Sequence, residues 1–405
     1  MNARAIFLGI LAAVAISCEQ EKEVPGIKMS NDLDTERTEI VVLSRDQVNS
    51  LLPDMKEDQV PVIKTQEGEI LPFQLDDLDQ DGNWDEMAVE VVLGKKETKE
   101  FFVHAFAKAE QPNFTKTTDV HFGVGKAKPK AMEVQNYERT TDPREQDSLF
   151  LQMEGPAWEN DKLGFRMYFD PRNGIDIFGK TTAEPVLAKQ GLTTNYHEKA
   201  DWGMDVLKVG NSLGAGSVAI QYNDSIYRLK GTGTTTFKTI TEGPVRAIFT
   251  MTYKDELIAD KTIDVLHTIS IEKSKWYSKN QVQLMGDKEG MALVTGIVNL
   301  KPNSAETLAL ENGSLVLSHG QQSENKDALG MAVIVPQSKI ELSAAPSEGE
   351  GIINTHLVKL PAAVDNTYYF MAGWEASDNK FASMEGFRTE ATTAAQQIFN
   401  PVQLD

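Results

Sequence analysis

The stretch GPAWENDKLGFRMYFDPRNGIDIFGK, from Gly155 to Lys180, is dense in side chains that can do chemistry. If GFRMYFD is a strand, its period-two alternation sets Arg166, Tyr168 and Asp170 on one face and Phe165, Met167 and Phe169 on the other. The second face reads as core. The first carries a cation, a phenol and a carboxylate, which suits either a polar groove or a solvated outer face with a salt bridge. A planar guanidinium can hold a carboxylate bidentately, so Arg166 is the candidate clamp for an anionic ligand. Trp158, Glu159 and Asn160 open the stretch as WEN. A tryptophan beside acidic or amide groups can stack on a sugar's apolar face while they hold its hydroxyls, although core packing is the commoner fate of an indole.

A second cluster follows in NYHEKADWGMDVLKVGNSLGAGS, Asn195 to Ser217, with His197, Asp201, Trp202, Asp205 and Lys208 close together. His197 has three readings: zinc ligand, ordinary hydrogen-bonded histidine, or catalytic acid or base near neutral pH. No HExxH or other close histidine pair accompanies it, which weakens the first. Gly210, Gly214 and Gly216 lack the spacing of a phosphate-binding loop and read as turn glycines. His104 and His267 sit inside strand patterns as core histidines, whereas His121, His319 and His356 lie near strand ends and read as surface residues. No serine-nucleophile elbow, kinase motif set or Cys–His nucleophile can be assembled, and paired carboxylates for glycoside hydrolysis stay open.

A third cluster is DDLDQDGNWDE, Asp76 to Glu86. Asp77, Asp79, Asp81 and Asp85 fall at the oxygen-donor spacing of a calcium loop with Gly82 at the tight turn, but Ala88 stands where the closing bidentate glutamate belongs. The flanks ILPFQL and MAVEVVL are strand-like, so the stretch reads as a hairpin turn that can hold at most a structural calcium. No cofactor is otherwise required.

The elements that must position these residues are strands. EIVVLS, KEFFVHAFA, SVAIQY, TTTFKTI, VRAIFTMTY, KTIDVLHTISI, NQVQLMG, SLVLSHG, GMAVIVP and TYYFMAGWE recur between Gly, Asn, Asp and Pro clusters. The expected fold is all-β: a large antiparallel β-sandwich of the supersandwich, galactose-mutarotase-like kind, with a sheet face broad enough for a carbohydrate cleft. Helix signals are confined to TEATTAAQQIFN and, more weakly, DWGMDVLKV. A net charge of −20, from 40 basic and 60 acidic residues, argues against nucleic acid as a partner and makes any local basic cluster informative.

The first residues place Arg4 before an apolar run from Ala5 to Ile16 that is too short to span a bilayer, and then Ser17 and Cys18. Cys18 is the only cysteine and sits where a bacterial lipoprotein is cleaved and acylated, although Ala15 stands where leucine is commoner. The expectation is a signal peptide over 1–17, a lipidated Cys18, a flexible tether over 18–38 and one β-sandwich domain over 39–405. That implies a protein lipid-anchored to a bacterial outer membrane, periplasmic or at the cell surface, touching the membrane only through its anchor. With one cysteine, its stability must come from the core.

At DDLDQDGNWDE, GPAWENDKLGFRMYFDPRNGIDIFGK, YHEKADWGMDVLKVGNSLGAGS and EGPVRA the sequence resembles the domain-of-unknown-function family 4861, lipoprotein-like or secreted proteins of bacterial polysaccharide-degrading systems. The family includes a dehydratase acting on ulvan oligosaccharides. The resemblance implies loss of water across C4 and C5 of a non-reducing-end glucuronate or iduronate, giving a 4,5-unsaturated uronate for an unsaturated-glucuronyl hydrolase to remove. Such a reaction needs a neutralised carboxylate, a base for the C5 proton and an acid for the leaving hydroxyl. His197 is the expected base, Tyr168 the acid, with the reverse pairing open; Arg166 and Lys208 supply positive charge. Trp158, Glu159, Asn160, Asp201, Trp202 and Asp205 are the expected sugar contacts or imidazole-orienting groups. Polysaccharide lyase, non-catalytic surface glycan-binding lipoprotein and mutarotase-like epimerase are the alternatives.

Overall fold

In the computed structural model, residues 24–301, 303–336, 339–360 and 365–405 are described. The expected signal peptide and Cys18 lie outside them. Among the described residues no helix is long and apolar enough to cross a membrane.

The chain is an antiparallel β-sandwich, as its alternating segments require. A nine-stranded sheet dominates, in the order 136–139, 234–241, 246–258, 261–272, 277–286, 365–374, 329–336, 313–320 and 305–310. Its strand Lys261–Glu272 shows how alternation builds two surfaces. Ile263, Val265, His267, Ile269 and Ile271 are buried inward, and Asp264, Leu266, Thr268, Ser270 and Glu272 face the other way. The inward row joins the main core with Phe249, Met251, Tyr253, Val333 and Phe370. His267 is a satisfied core histidine: its Nε2 pairs with Asn280 Oδ1 at 2.9 Å, and burial lowers its pKa to about 4.

Two five-stranded sheets close the other side of this core. One has the order 203–205, 175–180, 163–167, 157–159 and 119–121; the other has the order 225–228, 219–222, 291–298, 355–359 and 341–344. On the outer face of the large sheet, helix α2 (Met384–Phe399) lays Phe387, Ala391 and Ala395 against Leu315, Leu317, Ile334 and Met371. This helix starts before the expected TEATTAAQQIFN because the Ser383 hydroxyl accepts the Gly386 N–H as its cap.

The N-terminal part forms a second sandwich with its own core. A four-stranded sheet (order 403–404, 26–30, 98–107, 59–64) packs on a three-stranded one (37–44, 86–93, 73–76) around Met29, Leu43, Val62, Met87, Val91 and Val103. The expected tether over 18–38 is therefore corrected from residue 26 onward. Gly26–Ser30 pairs on both sides and Met29 is fully buried, because one apolar residue in every two suffices to dock a short strand. Helix α1 (Arg45–Leu51) rests on a capping box, Ser44 with Gln47, an S-x-x-Q signal that the strand reading passed over. No helix forms over DWGMDVLKV. Gly203, at φ 128°, passes so close to Gly179 that a Cβ would lie 1.8 Å from its carbonyl oxygen, and Gly203–Asp205 pairs as an edge strand.

Candidate active site

The five-stranded sheet around Leu163–Met167 carries the site. Register places Trp158 opposite both Val120 and Phe165, and Phe165 opposite Ile177, all facing the main core. The same register places His121, Ala157, Arg166 and Asp176 in one row on the outer face. Phe178 and Asp205 pair further along that face. The alternation expected for GFRMYFD holds as far as Met167, where the strand ends: Phe165 and Met167 are core and Arg166 lies on the opposite face, while beyond the strand Phe169 is core, Tyr168 packs at the edge of the core and Asp170, in the following bend, turns to Arg172.

Arg166 is 1 % exposed. Its guanidinium donates to Asp176 Oδ2 and to the Met153 carbonyl, and Glu154 Oε2 lies 3.5 Å from it. The plane of Arg166 sits over the Tyr168 ring at 4.0 Å, and Arg172 covers the ring at 3.9 Å, so the phenol lies between two guanidinium groups. Arg172 is held by Asp170 at 2.5 Å and by Glu154 at 3.0 Å. Glu154 thus spans both cations from an exposed position. It stands on a backbone in which Met153 (φ 51°) and Glu154 (φ 64°) are both left-handed, a conformation unfavourable for residues with a Cβ. The hydrogen bonds from Arg166 to the Met153 carbonyl and from the Phe169 amide to the Glu154 carbonyl (3.0 Å) hold that turn in place.

His197 projects from the loop that precedes the edge strand. Its Nδ1 is 3.2 Å from Asp205 Oδ2; the imidazole side chain is 62 % exposed and the carboxylate 2 %. Asp205 is fixed in turn by the Leu207 amide on its carboxylate (3.2 Å) and by its own amide on the Tyr196 carbonyl (2.8 Å). The hydrogen bond to Asp205 raises the His197 pKa, against burial and the repulsion of Arg166. Tyr196 packs against His197 at 4.4 Å and against Phe178 at 5.7 Å, with the rings tilted in both pairs. Burial raises the phenol pKa of Tyr168 and of Tyr196, both of which feel Arg166, Asp205 and Glu154. Tyr168, Tyr196, His197, Asp205, Arg166, Arg172 and Glu154 therefore form one electrostatic unit.

Other expected site residues are placed elsewhere. Trp158 is no sugar platform: it is 1 % exposed, stacks on Phe165 at 5.5 Å and donates its indole N–H to Ser278 at 3.1 Å. Glu159 does not contact a ligand either. It is fully buried, 2.5 Å from Lys180 Nζ, and its other oxygen accepts the amides of Val186 (2.7 Å) and Leu187 (2.6 Å). Burial pushes the Glu159 carboxyl up, while Lys180 and the two amides pull it down. Asn160, also fully buried, organises its turn by accepting the Lys162 and Leu163 amides and donating to the carbonyls of Glu272 and Lys275. Arg166, with its guanidinium spent on Asp176 and Met153, positions Tyr168 instead of offering a free fork to a carboxylate. Lys208 opens onto a different cavity of about 330 Å³ with Lys301 and Glu324. Asp201 is exposed, with its carbonyl accepting the Thr181 hydroxyl at 2.7 Å, and Trp202 is half-buried against Phe178.

Glu154, Arg172, Asp176 and Tyr196 were not singled out from the sequence. For Asp176 a signal existed, since a carboxylate paired across a hairpin from Arg166 is a cross-strand partner; for Glu154, which acts through an irregular turn, none did. His121 is buried, not at the surface: its Nε2 meets Gln152 Oε1 at 2.8 Å, under the loop that carries Met153 and Glu154.

The acidic stretch is the tip of the hairpin Phe73–Asp76 and Glu86–Leu93, as its flanks indicated. Asp77, Asp79 and Asp85 each bring one carboxylate oxygen within 4.8 Å of the others. Asp81 turns its carboxylate to the Asn83 amide at 2.7 Å and stands outside that trio. Three oxygens can start a calcium shell, and backbone carbonyls or water would have to supply the rest of the six to eight ligands that calcium takes.

A family model described as a domain of unknown function, family 4861, matches residues 29–404. An uncharacterized protein, P7, of Formosa agariphila is 26 % identical over 363 residues, 84 % of this chain and 83 % of that one. An alpha-mannosidase from Enterococcus faecalis V583 overlays 95 % of this chain at TM-score 0.48 and 9 % identity. A glycosyl hydrolase family 38 protein from Enterococcus faecalis overlays the same share at TM-score 0.46 and 10 % identity. This chain spans about half the length of each, 46 % and 47 %.

Proposed function

The chain belongs to the domain-of-unknown-function family 4861, and from that membership and the geometry above we propose that it processes oligosaccharides as a dehydratase, removing water across C4 and C5 of a non-reducing-end uronate of the ulvan type. The observation that carries the reading is the His197–Asp205 pair beside a phenol held between two guanidinium groups. Asp205 on Nδ1 selects the tautomer whose Nε2 lone pair points away from the protein, the arrangement of an imidazole base. His197 takes the C5 proton at Nε2, and Asp205 stabilises the imidazolium that forms. Tyr168, which keeps its proton at rest because burial raises its pKa, gives that proton to the departing 4-hydroxyl. Arg166 and Arg172 then offset charge on the phenolate, and Arg172, 32 % exposed, is the cation nearest solvent for the substrate carboxylate. The resulting enolate-like electron density collapses to the C4–C5 double bond as water leaves.

The reading extends to location and partners. The protein is a lipid-anchored outer-membrane component that takes an acidic oligosaccharide and supplies an unsaturated-glucuronyl hydrolase, with a calcium ion, if bound, purely structural at the Asp77 hairpin. The test is incubation with uronate-ended oligosaccharides, followed by mass and ultraviolet absorbance together. A loss of one water at unchanged chain length, with new absorbance, is expected; His197→Ala must abolish both while remaining folded. Chain cleavage would replace the dehydratase with a lyase, and unchanged mass with saturable binding would replace both with a glycan-binding protein.

A further inference from the structure

A cleft with no part in the proposed chemistry lies where three elements meet: strand Arg37–Ser44 of the N-terminal sandwich, the end of α2 with the segment after it, and the outer face of the nine-stranded sheet. It encloses about 310 Å³ and adjoins a second space of about 430 Å³ through the shared residues Arg37, Tyr277 and Gln397. The first volume is near the lower end for small-molecule sites.

Its floor is built by register. Ser270, Lys279 and Tyr369 stand directly opposite one another on three neighbouring strands, and by alternation Glu272 and Tyr277 share their face. Among the described residues, no hydrogen bond or ion pair engages the Glu272 carboxylate, the Lys279 ammonium or the hydroxyls of Tyr277 and Tyr369, although all four groups are half-buried or buried. The charges around them are spent. Arg37 holds Glu39 at 2.5 Å, Lys275 reaches the same carboxylate at 3.2 Å, and Arg246 is bound by Asp76 and Glu86. Burial also pushes the Glu272 carboxyl up and the Lys279 amine down, each toward its neutral form. Ile40, Val42, Ile398 and Val402 form the opposite wall.

An acceptor and a donor that attract each other across the floor, and two hydroxyls, none of them hydrogen-bonded among the described residues and all facing an aliphatic wall, fit a ligand whose hydroxyls both donate and accept and whose C–H face is apolar. Among the described residues that line the cleft, a phosphate or sulfate would find no free cation beyond Lys279, with two carboxylates, Glu39 and Glu272, nearby. We propose that this cleft is a second ligand site that takes a neutral saccharide unit, with Glu272 and Lys279 bridging its hydroxyls, Tyr369 contributing a third hydrogen bond and Ile40 and Val402 covering its apolar face. The assignment does not depend on the dehydratase reading.

The experiment uses the full chain and ligand-observed NMR with neutral pentoses and hexoses, and glucuronate as the charged control. At least one neutral sugar is expected to bind saturably, and Glu272→Gln and Lys279→Met are each expected to weaken it up to about tenfold, the upper end of what one hydrogen bond contributes. His197→Ala is expected to leave it unchanged. Tyr369→Phe, which removes one oxygen, covers the case in which a charge variant fails to fold, and a severalfold loss is expected there. Absence of saturable binding, equal binding in the folded cleft variants, loss of binding in His197→Ala, or preference for glucuronate would each overturn the proposal.

Discussion

Replacing Lys180 by methionine keeps most of its methylene stem and deletes one charge of a fully enclosed pair. Lys180 and Glu159 have side-chain exposures of 0 % and 1 %, and the pair is closed by the Asn160 carbonyl on one side and the Val186 and Leu187 amides on the other. Removing one partner of such a pair costs about 3–5 kcal/mol, because the surviving carboxylate has no solvent to replace its counter-ion. The two amides keep part of the compensation, which places the expected loss toward 3 kcal/mol at pH 8. The sign of the pH dependence follows from Glu159. Its carboxyl already titrates above its ordinary value, and losing Lys180 raises it further. A carboxyl whose folded pKa exceeds its unfolded one favours folding while protonated, and that contribution is lost as pH rises through the folded pKa. The variant should therefore be closest to wild type near pH 5 and fall away toward pH 8. Denaturant titrations at both values measure this, and amide exchange at Val186 and Leu187, which should quicken, reports the local effect on the segment leading to His197. A loss below about 1 kcal/mol, or one independent of pH, would refute the reasoning, since either outcome means that the pair is not desolvated.

Three other outcomes follow from the same geometry. Asp205→Asn should lower the His197 pKa toward that of an ordinary imidazole, moving the acidic limb of the activity profile to lower pH while reducing the maximal rate; imidazole NMR titration measures the first and steady-state kinetics the second. Trp158→Ala should destabilise the fold by about 3–5 kcal/mol as a core truncation, whereas Trp202→Ala, at a half-buried site, should cost much less, and denaturant titration of the two variants measures the difference. Calcium at millimolar concentration should raise the unfolding midpoint, and Asp79→Asn should remove that rise; an unchanged midpoint in the wild type identifies the hairpin tip as an acidic turn alone.

Alternation carried most of what was legible from sequence. It assigned both faces of Phe165–Met167 and the strands around Asp77–Asp85, and it should also have corrected the reading of WEN. Neighbours in a strand point to opposite faces, so Trp158 and Glu159 cannot flank one sugar. That Tyr168 and His197 feel the same charges, Arg166, Asp205 and Glu154, was legible only as two clusters of suitable residue types. Bringing the clusters into one neighbourhood depends on an edge strand that Gly203 permits and on a left-handed turn at Met153–Glu154 that no propensity favours. The pairing of Glu159 with Lys180 was hidden because twenty-one residues and a turn separate them, and a buried charge pair leaves no periodic trace.

The strand Gln403–Leu404 pairs with Gly26–Ser30, and Lys28 and Asp405 exchange backbone hydrogen bonds of 3.0 Å in both directions. The first of the described strands thus takes its outer partner from the far end of the described sequence. The N-terminal sandwich is completed only once residues 403–405 have been made, and until then its four-stranded sheet presents Gly26–Ser30 as an open edge. A tag appended after Asp405 would emerge beside Lys28 and load the very pairing that closes this sheet.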